Sequence, residues 1–457
     1  MKRYTGALVA AAALLCQYAA AQPLMDKMTT DAGTVKMFKY AELRTWAFQL
    51  PNGVLLVMRP DDSVKNVLIS GFAPGGAAGM PDADYASAIH AGAIMARSGV
   101  GKYDAAALEG LLKNTNIRLT PNISDNSSSI SGSCSKEDLE TALQLIYLYF
   151  TAPRRDADAC RRYTEQLKQA AAVQRPDPVE DTINLLRYGR NIRHSRDLLK
   201  EAESISPDKV IDAWTKCFGN ARGYTFVLTG DLDPNGMNHS RLEPLVDRYL
   251  GALPSKQTAE CPPQEGIAIP SATIDKVIRA GHDSIAHGSI IFSGSYHYSD
   301  SANLQLKALA WILRQRWVDD ITGDGLRLKG ANTSTRSEKM PGQRYEYRIN
   351  FMCPAAQAPA ILRRLHEVMD SLQTGPDDSY LERYVTLQKD MLRKQFSDNG
   401  FWTTYLVRAF MKQDDPYDIA HYPYYFRKAT PETIRQTARL FWQNKPYIQV
   451  VQLPAAQ

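Results

Sequence analysis

Imidazole is the side chain that binds metals when neutral and exchanges a proton near neutral pH. This chain of 457 residues has eight histidines, and their spacing limits what they could do. His90 stands alone in Tyr85-Ala-Ser-Ala-Ile-His-Ala-Gly-Ala-Ile-Met-Ala-Arg-Ser-Gly99, a run of small and apolar residues that suits one helix. Such a histidine is a metal ligand, the remnant of one, or a hydrogen-bonded member of a packed core, and the run alone leaves all three open. His366-Glu-Val-Met-Asp370 sets two potential ligands one helical turn apart around a glutamate, loosely like HExxH. It lies in LRRLHEVMDSL, where Leu362, Leu365 and Met369 form the apolar stripe, so a solvated polar face is the expected role. His282, His287 and His297 share a loop-and-strand region without carboxylates at useful spacing. No G-x-S-x-G elbow, P-loop or dinucleotide-binding glycine pattern stands out.

The elements that must position these residues follow a leader. Lys2 and Arg3 precede a short apolar run from Gly6 to Leu15, and Ala19-Ala20-Ala21 gives an A-x-A site before Gln22. This pattern predicts a secretory signal peptide over residues 1–21, cleaved after Ala21, and the run is too short to span a bilayer stably. Cys16 follows Leu15, where a lipoprotein signal needs a small residue, so no lipid anchor is expected. A periplasmic or secreted protein without a membrane span is therefore predicted. The formal charge of +5 falls to +3 without Lys2 and Arg3, since the leader holds no acid, and so balanced a surface does not suggest a nucleic-acid partner. Beyond the leader, Cys134, Cys160, Cys217, Cys261 and Cys353 are scattered and never form C-x-x-C. Neither a disulfide framework nor a zinc–thiolate site is indicated, although one bridge of unspecified pairing suits an oxidising compartment.

The remaining length is too great for one core and suits two domains of roughly 200 residues. Two distant segments share a plan. SPDKVIDAWTKCFGN, from Ser206, precedes the strand-like YTFVLTG, and TPETIRQTARLFWQN, from Thr430, precedes YIQVVQLP. Each opens with a hydroxyl N-cap, a proline at N1 and an acid in the first turn. A second pair keeps nearly the same offset. Cys134 ends SSSISGSC before the helix SKEDLETALQLIYLYF, whose Ser135 and Asp138 suit a capping box, and Cys353 ends YRINFMC before APAILRRLHEVMDSLQ. Two matched pairs argue for a duplicated unit. The proline-rich QTAECPPQEGIAIPSAT, residues 257–273, marks the linker. The expected layout is a tail over 22–40, one domain over 41–256 and another over 274–457. Strands such as WAFQLPNGVLLVMRP and SIIFSGSYHY lead each half and helices follow. That order predicts an α+β fold of two tandem sandwich domains, each a mainly antiparallel sheet with helices on one face.

LPNGVLLVMRPDD, then FAPGGAAG, a helix ending in SGVG, and LETALQLIYLYFTAPRRD resemble the insulinase-type M16 (HxxEH) metallopeptidase family over essentially the whole predicted mature chain. The chain is most similar to the non-catalytic C-terminal half of the long exported bacterial members. The resemblance implies two M16-like domains forming half of a clam-shell chamber that closes on a peptide. In active halves two histidines at i and i+4 bind zinc, the glutamate at i+3 activates water, and a glutamate on a later helix completes the ligand set.

Laying that helix on the opening run puts His90 at the first histidine and Gly99 at the helix-end glycine. Ala93 then replaces the glutamate and Ile94 the second histidine, and Gln169 or Ala170 stands for the third ligand. These residues predict that zinc, the family's cofactor, is not bound and that no catalytic residue remains. Non-catalytic halves of some relatives position peptide with an arginine and a tyrosine seven residues later. Here Thr322 and Lys329 fall at those places, and Arg327 has Ser334 seven residues on, so Arg327 and Lys329 are expected only to line a chamber. The resemblance implies an inactive exported subunit that binds peptide or unfolded polypeptide, or that completes the chamber of an HxxEH-bearing M16 partner in a heterodimer. An active metallopeptidase with non-standard ligands and a structural scaffold are the competing expectations.

Overall fold

A computed structural model describes residues 29–30, 33–34, 36–194, 197–232, 239–257, 266–281, 284–375 and 378–455. The predicted leader with Cys16, together with His282 and residues 258–265 of the linker, Cys261 among them, lies outside the described residues. The principal strands are β1 (Lys36–Tyr40), β2 (Thr45–Gln49), β3 (Leu55–Pro60), β4 (Asn66–Pro74), β5 (Arg118–Ile123), β6 (Ser127–Ser135), β7 (Thr225–Gly230), β8 (Ile274–Arg279), β9 (Ile285–Ser295), β10 (Gly330–Glu338), β11 (Arg344–Pro354) and β12 (Tyr447–Leu453). The helices are α1 (Asp82–Met95), α2 (Ala105–Leu112), α3 (Leu139–Thr151), α4 (Ala157–Val173), α5 (Pro178–Tyr188), α6 (Leu198–Ser204), α7 (Pro207–Phe218), α8 (His239–Leu245), α9 (Asp300–Gly323), α10 (Ala358–Leu372), α11 (Asp378–Gln395), α12 (Asn399–Lys412), α13 (Asp418–Lys428) and α14 (Pro431–Trp442).

These elements form two compact units that interleave along the chain. The first draws on residues 1–169, 199–262 and 396–417, and the second on 170–198, 263–395 and 418–457. The contiguous blocks 41–256 and 274–457 expected from the sequence thus each give a segment to the other unit. The supposed tail also contributes, because its residues 36–40 form β1.

In the first unit seven strands run in the order β1-β2-β3-β7-β4-β6-β5. Only β3 and β7 pair in parallel, with Val57 opposite Val227. One sheet face packs Phe48, Met58 and Leu228 against the helices that carry Ile146, Phe150 and Trp214. Local chemistry starts α7: the Ser206 side chain accepts from Lys209 N and Pro207 occupies N1. Trp214 then donates from Nε1 to Tyr149 O at 2.9 Å, satisfying its one polar atom inside the core. The predicted pairing of Ser135 with Asp138 is present (2.7 Å between side chains), but it closes a turn ahead of α3, which begins at Leu139.

In the second unit five strands run β8-β12-β9-β11-β10, again with a single parallel pair, β8 with β12. Ile290, Phe292, Tyr345 and Tyr347 pack with Trp317 and Phe441 in its core. Here the capping box at Thr430 and Thr433 is complete. The mixed, mainly antiparallel α+β architecture therefore stands as expected.

Each sheet carries a further helix on its second face, drawn from the other half of the sequence. Alternate residues of a strand point to opposite faces, so Ile291, Ile448 and Val450 turn away from Ile290 and pack with Val179 and Ile183 of α5. Arg348 bonds Glu180 of α5 with both terminal nitrogens, at 2.6 and 3.5 Å. Arg187 lies 2.7 Å from Glu346, with side chains only 5% and 12% exposed. In the first unit α12 takes the matching place. Thr229 and Thr403 share a hydrogen bond of 2.6 Å, and the Arg59 guanidinium lies 4.3 Å over the Trp402 ring. Burial draws Arg59 down to about 10, which keeps it cationic at neutral pH beside Asp61, 3.4 Å away.

Candidate functional site

The helix that carries His90 is α1. Asp82 and Asp84 in its first turn complement the positive helix end, and Lys209 lies 3.1 Å from Asp84. Its small residues allow close approach. At Gly92 an added Cβ would stand 2.7 Å from Asn122 Cα and 2.8 Å from Pro121 O, so α1 rests directly on the backbone of β5. Tyr85 donates to Asp125 at 2.6 Å, and Ser206 N donates to the Ser87 hydroxyl at 3.2 Å. The chain leaves the helix through Gly99, whose φ of +77° favours glycine.

His90 is half-buried and engaged at both ring nitrogens. Nδ1 lies 2.8 Å from the Tyr163 hydroxyl on α4, and Nε2 lies 2.9 Å from Glu201 Oε2 on α6. With the ring neutral, Nε2–H donates to the carboxylate and Nδ1 accepts the phenol proton. Burial pushes the Tyr163 phenol up, which holds it as a donor, and the Arg97 guanidinium lies 5.4 Å over its ring.

The other residues that the resemblance aligns with the zinc site are Ala93, Ile94 and Gln169 or Ala170. Ala93 is half-buried, and its carbonyl accepts from Arg97 Nη1 at 2.6 Å. Ile94 is a core residue, 1% exposed. Gln169 and Ala170 on α4 are exposed. Among the described residues no three His, Cys, Asp or Glu side chains group so as to hold a metal ion. This donor set does not fit a resident zinc ion, because His90 and Glu201 alone could bind and each already satisfies the other. Neither Tyr163 nor Glu201 was singled out by sequence. Tyr163 stands 73 residues from His90 and Glu201 stands 111 away, in a short helix without a motif.

The remaining candidates disperse. Arg327 and Lys329 are exposed in the loop between α9 and β10, where Arg327 N donates to Gln357 Oε1 and Lys329 N donates to Met352 O. His366 bonds Gln449 at 3.2 Å, while Glu367 pairs with Arg364 and Asp370 accepts from Gln373, so the three point to separate partners. His287 is half-buried on β9 and His297 is exposed. Cys134, Cys160, Cys217 and Cys353 form no disulfide with one another.

Comparison with known proteins gives this arrangement a context. No family model matches the chain. It is 24% identical over 421 residues to "Zinc protease PQQL-like" of Arabidopsis thaliana, covering 86% of this chain and 40% of that protein. The periplasmic protease PqqL from Escherichia coli superposes with a TM-score of 0.81 at 16% identity, over 95% of this chain and 48% of that one. A peptidase M16 inactive domain from Pseudomonas fluorescens superposes at 0.73 and 16% identity, over 91% of this chain and 99% of its own. The chain has the fold of an M16 peptidase. It spans less than half the length of the first two M16 relatives and about the full length of the inactive M16 domain. No helix among the described residues is long and apolar enough to cross a membrane.

Proposed function

We propose that this chain is an exported, non-catalytic M16 subunit that binds peptide and completes the chamber of an HxxEH-bearing M16 partner. The observation that carries the reading is α1 itself. The resemblance aligns it with the zinc helix, which would put Ala93 and Ile94 where base and second ligand stand in active relatives, and His90 is bound to Tyr163 and Glu201. The Lys2–Arg3 start, the apolar run and the Ala19-Ala20-Ala21 site support export.

Metal analysis of the purified chain tests the first part. The expected result is far less than one zinc per chain and no chelator-sensitive peptidase activity on unfolded polypeptide. Stoichiometric, tightly held zinc, or chelator-sensitive cleavage without a partner, overturns it. Co-purification from the native host tests the second part: an HxxEH-bearing homologue is expected in the same complex, and recovery of this chain alone as a monomer rejects the heterodimer.

A further inference from the structure

Helix α11 carries two sets of large side chains, and its place in the fold accounts for one of them. Leu381, Tyr384 and Leu392 are buried, and the first two belong to the core of the second unit. Tyr380, Arg383, Leu387 and Met391 recur at steps of three, four and four residues. That spacing keeps them on one flank of the helix, about a third of a turn from the buried set. Leu387 and Met391 are 41% and 42% exposed there.

Arg383 stands on this flank with its head group restrained. The guanidinium lies 6.0 Å from the centre of the Trp311 ring and 5.6 Å from that of Tyr380. Tyr380 is fixed in turn by donating to Asp319 at 2.9 Å, and Trp311 by its contact with Tyr384, 5.7 Å between rings. Yet Arg383 is exposed and makes no hydrogen bond or ion pair among the described residues. Tyrosine, tryptophan, arginine and methionine are the side chains that concentrate at protein–protein contacts, and a restrained arginine loses less entropy on binding.

The flank also holds a carboxylate that matches this cation. Asp390 lies on the same side, next to Met391, and its pairing with Arg393 is weak: 3.4 Å, with side chains 57% and 78% exposed. Let two copies of α11 cross antiparallel on a two-fold axis through Leu387. A residue a given number of positions after Leu387 then faces the residue the same number before it on the other copy. Leu387 meets itself, Met391 covers the stem of the other copy's Arg383, and that arginine reaches Asp390 beside it. The contact is made once in each direction, as an isologous interface requires.

We propose that α11 is a homodimer contact, in which the flank from Tyr380 to Met391 packs antiparallel on the same flank of a second copy and Arg383 pairs with that copy's Asp390. This goes beyond the subunit assignment. It uses the helical layer of the second unit, so neither α1 nor the edge strands of the sheets take part.

Sedimentation velocity of the full chain, from about 2 to about 200 μM, tests it. One helix pair is a small contact, so a dimer dissociating at about 10–100 μM is expected. Arg383→Glu and Asp390→Arg each set like charges against each other and should weaken the dimer by about tenfold or more. The double variant restores the pairing with its sign reversed and should return to within about threefold of the parent. Leu387→Asp places two carboxylates on the axis and should leave a monomer throughout. All four changes fall on exposed positions, and an unaltered urea midpoint checks that each variant is folded. A parent chain that stays monomeric at the highest concentration overturns the proposal. So does a dimer indifferent to Leu387→Asp, or one that the charge exchange fails to restore. Zinc content and recovery of an HxxEH-bearing partner are separate readouts, so its failure is distinct from failure of the subunit assignment.

Discussion

At the scale of single residues, the chemistry of α1 is that of a closed hydrogen-bond set. His90 stands between a phenol and a carboxylate, both largely shielded from water, and removing it strands both partners. His90→Ala should therefore lower stability by about 1–3 kcal/mol in urea unfolding while leaving zinc content unchanged. A fall in bound zinc would instead show His90 to be a ligand. Buried phenols make a second prediction. Burial pushes Tyr149 up to about 12, so the folded chain keeps a proton that the unfolded chain releases above about pH 10. Its contribution is complete below pH 10 and is lost as pH rises toward 12. The urea midpoint should fall over that window, and Tyr149→Phe should make the fall smaller.

Among the elements, α1 shows how much of a site is legible in sequence. Its extent, its small packing face and the glycine at its exit all follow from local residue types, because they depend on helix periodicity and backbone freedom. The partners of His90 do not, because nothing near Tyr163 or Glu201 in the chain signals where they will meet. The same limit applies to α5. Its start is written in Asp177, which accepts from Glu180 N, and in Pro178 at N1. Its seat on the second sheet depends on Arg348 and Glu346, far away in the chain. Arg348→Met leaves Glu180 and Glu346 in a partly desolvated cluster without their shared cation. It should cost about 3 kcal/mol in denaturant unfolding, and a cost below about 0.5 kcal/mol would show that α5 is held without Arg348, by the Arg187–Glu346 pair and the Val179 and Ile183 packing.

For the whole molecule, the exchange of segments has a direct consequence. Residues 170–198 belong to the second unit and 396–417 to the first. A cut in the linker should therefore give two fragments, 36–257 and 266–457, each lacking a helix that covers its own sheet. Expressed separately they should aggregate or show weak tertiary signals in near-ultraviolet circular dichroism, because Ile291, Ile448 and Val450 in one, and the Arg59 face in the other, lose their cover. Refolded together they should recover the signals of the intact chain. Independent folding of either fragment would show that the exchanged helices are dispensable.

The sequence by itself determined the α+β class, the capped helices at Ser206 and Thr430 and the likeness to M16 peptidases. These follow from residue type and short spacing, which act within a turn or two of the backbone. Only the tertiary structure decided that Tyr163 and Glu201 satisfy His90 and that each half sends a helix to the opposite unit. Each depends on which distant segments meet, and that is set by burying the apolar faces of a whole sheet rather than by any local signal.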